Sequence, residues 1–344
     1  VLGFQSDPCR HSEAGAPVWS RYIFLERTMS NKKVIAVVGA TGAQGGGLAR
    51  AILEDGDSPF TVRALTRDPD SEKARSLAEM GAELVRADLD DRESLEGAFQ
   101  GAYGAFFITN FWESFSPEKE KAQARNMAEA AKATGLEHVV WSTLEDTRRW
   151  IPLEDDRMPT LMEQYKVPHF DAKGESDAVF REAGVPTTNL LTSFYWENFI
   201  YLGSGPQRGD DGRLKLTLPM GEKKLPSIAV EDIGRSAYGI FKAGSEYIGK
   251  TVGIAGEHLT GEDMASAMSE AFGESVTYNP VPAQIYRDFG FQGADDLGNM
   301  FQFKHDFEDY FCGARNLDLT RELNPRLQDF ESWLSENKDR IPRD

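Results

Sequence analysis

Residues 34–45 decide the fold of this chain, and they read VIAVVGATGAQG. An apolar run of strand length comes first, a glycine turn follows it, and a helical pattern begins at residue 45 or 46. Gly39 allows a sharp exit from the strand, Gly42 lets backbone N–H groups approach a pyrophosphate, and Gly45 lets the helix sit close to the sheet. The aligned peptide dipoles at the start of that helix favour a bound anion. We therefore predict a dinucleotide-binding unit.

Strand-like and helix-like patterns alternate along the chain after this first unit. Apolar runs at 34–38, 61–66, 83–87, 105–109, 138–142 and 188–191 predict strands. Helical periodicity lies between them, at 45–54, 72–80, 93–99, 117–134 and 170–183. This alternation is typical of an α/β protein with a doubly wound parallel sheet, the Rossmann class, in which ligands bind at the carboxyl ends of the strands.

The regular alternation loosens after about residue 195, which indicates a second unit. We predict a Rossmann domain over residues 31–190 and a smaller α/β domain over residues 191–344 that faces a substrate or partner. The two are expected to be partly interleaved, with segments 232–242 and 251–255 returning to the main sheet. Residues 1–30 are expected to be an extension outside the fold, with Met29 as the natural start.

Composition excludes several classes of function. The formal net charge of −18, with no run of basic residues, argues against direct binding to nucleic acid or to an anionic membrane. No apolar stretch reaches the roughly 18 residues that a membrane span needs. Two cysteines, Cys9 and Cys312, cannot build a disulfide framework and fit a reducing compartment. We predict a cytoplasmic location, with the nucleus as an alternative, and no metal site, because the five histidines have no metal-ligand spacing.

Arg67 follows the second predicted strand, where a site for NAD usually carries an acidic residue for the ribose hydroxyls. A guanidinium at this place suits the 2′-phosphate of NADP(H) instead. The alternative is a surface arginine that pairs with Asp68 or Asp70. We predict NADP(H) as the cofactor. Further candidate contacts follow the third and fourth strands, namely Asp88 and Leu89 at the adenine and Thr109, Asn110 and Phe111 at the ribose and pyrophosphate.

Several segments together resemble the NmrA-like branch of the atypical short-chain dehydrogenases, over nearly all of residues 32–338. They are VVGATGAQGGGLARAILEDG, VRALTRDP, FFITNFWES, HFDAKGE, FYWENF and GFQGADDLGNMFQF. The glycine turn alone is not specific, whereas the combination is. The resemblance implies a doubly wound NADP(H)-binding domain with a smaller C-terminal one. It also implies an NADP(H)-sensing regulator or, as in more distant relatives, an enzyme similar to isoflavone and quinone reductases.

The resemblance extends the candidate cofactor contacts beyond the strand ends. The full set is Gly39, Ala40, Thr41, Gly42, Ala43, Gln44, Gly45, Arg67, Asp88, Leu89, Thr109, Asn110, Phe111, Lys173, Tyr195, Trp196, Glu197 and Asn198. The aromatic residues around Tyr195 are expected to form a cleft wall facing the nicotinamide. One departure from the family pattern is Ala122, where similar proteins tend to carry a basic residue, and neighbouring Lys121 is the candidate replacement.

Carbonyl-reducing enzymes of this class usually carry Tyr-x-x-x-Lys, in which the tyrosine donates a proton while the lysine lowers its pKa and holds the ribose. The corresponding segment here runs from His169 to Lys173, so the lysine is present and the tyrosine is absent. A spacing of four places both residues on one helix face. His169 is either a proton donor or a polar residue at the helix start, and both interpretations stay open. Lys173 is expected to contact the ribose or nicotinamide.

Two other residues resemble catalytic ones. Tyr238 and Lys242 also have the Tyr-x-x-x-Lys spacing, but they lie far downstream on a predicted amphipathic helix, and we interpret them as a packing residue and a surface lysine. Ser142 ends the fifth predicted strand, where the catalytic serine often stands. Without a tyrosine beside it, it is also explained as a hydroxyl that satisfies the backbone.

Two functions from different classes are consistent with these residues. The first is an NADP(H)-binding redox sensor, in which cofactor-dependent domain closure changes association with a regulatory protein partner. The second is an NADPH-dependent oxidoreductase that reduces a small carbonyl, quinone or enone substrate, with His169 or a water bound to Lys173 as the acid. The missing tyrosine beside a complete cofactor site favours the sensor. A homodimer is compatible with both.

Overall fold

The computed structural model describes residues 32–343, so the predicted extension and the predicted start at Met29 lie outside the described residues. Its strands are β1 (Lys33–Val37), β2 (Phe60–Thr66), β3 (Glu83–Arg86), β4 (Gly104–Phe107), β5 (His138–Thr143), β6 (Thr187–Leu191), β7 (Phe194–Tyr195), β8 (Gln207–Arg208), β9 (Leu214–Leu218), β10 (Leu225–Ile228), β11 (Thr251–Gly253), β12 (Glu257–Leu259) and β13 (Val276–Pro280). Seven of them form a parallel sheet in the order β11-β6-β5-β4-β1-β2-β3. Two three-stranded sheets, β12-β10-β7 and β13-β9-β8, lie in the C-terminal half.

Helices connect these strands and cover both faces of the main sheet. They are α1 (Ala43–Glu54), α2 (Glu72–Glu79), α3 (Arg92–Phe99), α4 (Phe111–Ser114), α5 (Pro117–Thr134), α6 (Pro168–Ala183), α7 (Asn198–Tyr201), α8 (Val230–Lys242), α9 (Gly261–Phe272), α10 (Ala283–Arg287), α11 (Ala294–Asp306), α12 (Glu308–Gly313), α13 (Leu317–Leu323) and α14 (Phe330–Asn337). Strand and helix alternate from β1 to β6, which confirms the predicted doubly wound α/β class.

The first apolar run does not alternate between apolar and polar residues, because β1 is buried on both faces. Ile35 and Val37 pack into the core on one face of the sheet, beneath α1 and α8. Ala36 and Val38 pack into the core on the opposite face, beneath α3, α5 and α6. All four side chains are at most 4% exposed. A strand covered on both faces needs apolar residues at consecutive positions, as parallel sheets of this class usually do.

Two element boundaries differ from the predicted ones at positions that matter for the site. β4 ends at Phe107 rather than at Thr109, because the chain leaves the sheet there and turns into α4 at Phe111. α6 begins at Pro168 rather than at residue 170, since proline fits the first turn of a helix. His169 therefore lies in the first helical turn.

The C-terminal half returns to the main sheet at two places. β11 pairs in parallel with β6, from Thr251 against Asn189 to Gly253 against Leu191. α8 packs against α1, and glycines form the contact between the two helices. A Cβ on Gly234 would lie 2.1 Å from the backbone N of Leu48. The two helices approach so closely only because this side chain is absent.

No helix within residues 32–343 combines the length and apolar character that crossing a membrane requires.

The contact between α1 and α8 yields a stability test with Gly234→Ala. We expect a loss of about 1–3 kcal/mol in the free energy of unfolding, because the new methyl group forces the helix backbones apart. Gly97→Ala in α3 is the matched control, since a Cβ there meets nothing within 4 Å. Alanine is the better helix former, so the free energy of unfolding of the control should rise by about 0.5–1 kcal/mol. Chemical denaturation measures both, and a Gly234→Ala protein as stable as the parent would contradict this packing.

Candidate dinucleotide-binding and active site

A cavity of about 730 Å³ opens at the carboxyl ends of the central strands. Residues directly after β1, β2, β3, β4, β5 and β6 line one side of it, and residues of α10 and α11 line the other. Chain segments more than a hundred residues apart therefore meet at one site. The position is the one that the doubly wound topology predicts for a ligand.

The glycine turn forms the floor of this cavity. Gly39 has a φ of +65°, and its carbonyl accepts a hydrogen bond of 2.8 Å from the N–H of Gly42. A Cβ on Gly45 would lie 2.5 Å from that same carbonyl oxygen, so only glycine lets α1 start here. Gly42 caps α1 without a side-chain hydrogen bond, and the first turn carries no acidic residue. The N–H groups of this turn fit an anion such as a pyrophosphate.

Gln44 links the turn to two other strands. Its Nε2 donates to the Tyr195 hydroxyl at 2.5 Å, and its Oε1 accepts from the Ser142 hydroxyl at 2.8 Å. Ser142 thus satisfies Gln44 rather than the backbone. Because the Tyr195 oxygen accepts from the amide, the phenol proton is left for another acceptor. Burial raises the pKa of Tyr195, so the phenol stays neutral and can serve as a donor.

Arg67 lines the cavity directly after β2, and its partner is Glu113. Its guanidinium reaches the two Glu113 oxygens at 2.5 and 3.3 Å, and this hydrogen bonding raises the pKa of Arg67. Both side chains are exposed, 66% and 48%, so the pair contributes little stability and a phosphate can compete for the guanidinium. Ser71 and Lys73 line the same end and were missed by the sequence reasoning.

Lys173 also lines the cavity, and its amine is held by buried partners. It donates to the Thr109 hydroxyl at 2.7 Å and lies 3.0 Å from Glu120 Oε1. The Thr109 hydroxyl in turn donates to Glu120 at 2.6 Å. The second Glu120 oxygen has no hydrogen-bond partner among the described residues. Sequence reasoning missed Glu120 because it reads as an ordinary acid in the first turn of α5.

His169 is held at the cavity by Asp296. Its Nδ1 lies 2.7 Å from Asp296 Oδ1, and its backbone N–H donates to the other oxygen of that carboxylate at 3.2 Å. Both side chains are at most 8% exposed, and Phe111 and Trp112 pack against the imidazole. With Nδ1 bound to a carboxylate, Nε2 is the nitrogen left for a ligand. Asp296 belongs to the GADDLGNMFQF segment, which was noted for family resemblance but not for this role.

Lys304 is a second residue at the cavity that the sequence analysis did not single out. It lies eight residues after Asp296 on α11, and this spacing puts both residues on one helix face. The lysine is only 3% exposed, and its hydrogen bond goes to the sulfur of Met300 at 3.3 Å. Burial lowers the pKa of its amine to about 7.

Most of the predicted cofactor contacts lie together on the cavity wall. They are Gly39, Thr41, Gly42, Ala43, Gln44, Gly45, Arg67, Asp88, Leu89, Thr109, Asn110, Phe111, Lys173, Tyr195 and Asn198. The side chains of three predicted residues lie away from the cavity wall. Ala40 is buried in the core under α1. Trp196 is fully buried with its indole N–H on Ser227, and Glu197 accepts from the Val230 N–H and the Trp333 indole.

Two further residues from the sequence analysis have roles outside the cavity. Tyr238 packs in the core and donates to Asp55 at 2.7 Å, in agreement with its interpretation as a packing residue. Lys121, the candidate replacement for the basic residue at Ala122, does not line the cavity, and Glu118, Glu175 and Tyr165 bind its amine. Within residues 32–343, no group of three or more His, Cys, Asp and Glu side chains is arranged to hold a metal ion.

Known proteins share this architecture and between about a fifth and a third of the aligned residues. An NmrA-like family domain-containing oxidoreductase from Penicillium ochrochloron, ptmS, is 28% identical over 88% of this chain and 97% of its own length. The negative transcriptional regulator NmrA, solved in complex with NADP, superposes with a TM-score of 0.71 at 24% identity, covering 89% of this chain and 95% of the regulator. Triphenylmethane reductase from Citrobacter sp., solved with NADP(H), gives 0.68 at 19% identity, covering 88% and 99%.

The model of the NmrA-like family matches residues 31–334, which is most of the chain. With the glycine turn, the doubly wound sheet and the cavity in place, this protein belongs to the NmrA-like family.

Proposed function

We propose that this protein is an NADP(H)-dependent oxidoreductase that reduces a carbonyl, quinone or enone group on an apolar substrate. The observation that carries the proposal is the buried pair of His169 and Asp296, which faces the same cavity as the glycine turn. A positioned proton donor beside a dinucleotide site is what such a reduction requires. It offers a substitute for the tyrosine that the sequence lacks.

The cofactor residues divide by the part of NADP(H) that each suits. The N–H groups of the first turn of α1 would hold the pyrophosphate, and Arg67 with Lys73 would hold the 2′-phosphate. Asp88 and Leu89 suit the adenosine. Ser193 lines the cavity with a buried hydroxyl that has no partner within the described part of the chain, and it suits a polar group such as the nicotinamide amide. NADPH, when bound, supplies a hydride to the substrate.

The chain's own residues supply the proton and the shape of the substrate pocket. Asp296 accepts from Nδ1–H and fixes the ring orientation, so the protonated imidazolium of His169 can donate its Nε2 proton to an oxygen on the substrate and is left as the neutral imidazole. Phe170, Phe194, Phe301 and Tyr286 line the substrate end of the cavity. Such walls exclude water and favour an apolar substrate. The relative from Penicillium ochrochloron, which is named as an oxidoreductase, supports this proposal.

A redox sensor is the second candidate function, and one contact favours it. Glu113, the partner of Arg67, lies on α4, whose Phe111 and Trp112 rings contact His169. A phosphate that binds Arg67 would break its ion pair with Glu113 and so change the contacts that α4 makes. Sensing also requires that the cofactor binds two conformations of the protein with different affinities. Equal affinities for NADPH and NADP⁺, with no change in X-ray scattering on binding, would exclude this candidate.

Recognition of the 2′-phosphate is tested with Arg67→Ala and Glu113→Gln. We expect Arg67→Ala to weaken NADPH binding by about ten- to hundredfold and NADH binding far less, because a hydrogen bond to a charged group is lost. Glu113→Gln removes the competing carboxylate, so it should strengthen NADPH binding. Arg75→Ala, which removes an exposed arginine near Asp70, is the control. Calorimetric titration measures all four proteins, and equal losses for NADPH and NADH would contradict phosphate recognition.

The proton donor is tested by NADPH oxidation against a panel of quinones, enones and aldehydes. His169→Gln should lower kcat by about 10²–10⁴-fold while NADPH affinity stays near that of the parent. Asp296→Asn, acting through His169, should lower kcat less and leave KM almost unchanged. His305→Gln is the matched control, because it belongs to an exposed His–Asp pair outside this cavity.

Tyr195→Phe separates the two donors at the site. If it abolishes turnover while His169→Gln does not, the phenol and not the imidazole is the acid. If no member of the panel oxidises NADPH, the oxidoreductase proposal is contradicted for these substrate classes.

A further inference from the structure

The amine of Lys304 sits in a cage of aromatic rings. Its Nζ lies 5.3–5.7 Å from the ring centroids of Phe170, Phe194, Phe301 and Phe311. The remaining polar contact is the Met300 sulfur, and a thioether is only a weak acceptor. A buried ammonium normally has a carboxylate or several carbonyl oxygens around it. This one has neither among residues 32–343.

The nearby carboxylates are engaged elsewhere. Glu145 makes two hydrogen bonds to the buried guanidinium of Arg315, at 2.7 and 3.1 Å. Phe311 lies against both cations, since the Arg315 guanidinium is 3.5 Å from its ring centroid. Asp296, two helical turns before Lys304, is bound to His169. The protein therefore provides the amine with no anionic partner of its own in the part of the chain described here.

The amine is nonetheless at a place that a ligand can reach. Lys304 lines the cavity together with Met300, Phe301 and Leu297 of the same helix. Asp296, on the same face of α11, holds the proposed proton donor at that cavity. One helix, α11, thus holds the proposed proton donor of α6 through Asp296 and presents the amine of Lys304 to the same cavity.

We propose that Lys304 binds the carboxylate of an apolar, ring-bearing substrate at the α11 end of the cavity. This inference rests on the proposed oxidoreductase function and deepens it, because it names the class of substrate. A carboxylate supplies the one anionic partner that the amine lacks, while the substrate rings pack on the aromatic walls. A phosphate group suits the cage less well, since its additional charge and oxygens need donors that phenyl rings do not offer.

Recognition of this kind has a defined dependence on pH. Burial lowers the pKa of Lys304 to about 7, Arg315 adds to the lowering, and Glu145 opposes it. The other Asp, Glu, His, Lys and Arg side chains that line this cavity are Arg67, Asp68, Lys73, Asp88, Glu113, His169 and Lys173, and Asp296 lies behind His169. Only the protonated amine attracts a carboxylate, so the affinity of the protein for a carboxylate ligand should be highest below pH 7. It should fall by up to about tenfold per pH unit above that value.

Calorimetry with naphthalene-2-carboxylate and its neutral isostere, naphthalene-2-carboxamide, tests the proposal. Both probes are titrated into the protein alone and into the protein loaded with NADP⁺. At pH 6 we expect the carboxylate to bind at least about tenfold more tightly, and the difference should shrink by pH 9. Lys304→Met should abolish the preference without changing NADP⁺ affinity. Lys132→Met, at an exposed position on α5, should retain it.

Several outcomes would overturn the proposal while the proposed function stands. The first is that the protein binds the two probes equally well, and the second is that Lys304→Met still prefers the carboxylate. The third is that the affinity for the carboxylate is the same at pH 6 and pH 9. The fourth is that the protein binds NADP⁺ but does not bind the carboxylate. Failure of NADP⁺ itself to bind counts against the proposed function instead. In that case the preference for the carboxylate over the carboxamide is still measurable on the protein without NADP⁺.

A stability measurement separates a ligand-binding amine from a structural one. A lysine whose pKa is lowered by folding destabilises the folded state at neutral pH, and this cost disappears as the pH rises toward the ordinary lysine value near 10. Lys304→Met should therefore melt at a higher temperature than the parent at pH 7, with a smaller difference at pH 10. A lower melting temperature would mean that the amine stabilises the unliganded protein, which contradicts the proposal.

Discussion

The close approach between the Gly39 carbonyl and Gly45 is the constraint on which the site depends. A single methyl group at Gly45 would lie 2.5 Å from that oxygen, so any other residue would push α1 away from β1. The same approach brings the first N–H groups of α1 to the cavity floor and brings Gln44 within reach of Ser142 and Tyr195. A backbone requirement at one residue thereby fixes both the anion site and the contact between the two halves of the chain.

The two halves share the site because they share the sheet and the helix packing. α8 lies against α1 through Gly234, and β11 extends the main sheet beside β6. α11 then reaches the cavity from the C-terminal half, where Asp296 holds His169 of α6. Residues 127 positions apart in sequence form one buried acid–base pair. In the proposed mechanism, this helix supplies the carboxylate that holds the proton donor of the N-terminal half.

Local sequence patterns predicted the parallel sheet well, because its central strands β4 and β5 are buried on both faces and contain continuous apolar runs. The glycine turn was also predictable, since it rests on a backbone requirement close in sequence, and so was the position of Arg67 at the cavity directly after β2. Glu113, Asp296 and Lys304 were not. Their roles depend on partners that only tertiary packing brings near, and an acid or lysine on a helix looks the same whether it faces solvent or a cavity. Trp196 and Glu197 show the converse, because the aromatic run next to the site predicts side chains that face the cavity, whereas these two side chains turn into the core.

The most direct test of this account is a crystal structure of the protein grown with NADPH. The account predicts the pyrophosphate on the N–H groups of Ala43 and Gln44 at the start of α1, and the 2′-phosphate on Arg67 with its contact to Glu113 broken. A dinucleotide bound at any other place on the folded protein, or with its phosphates away from α1, would contradict the central claim.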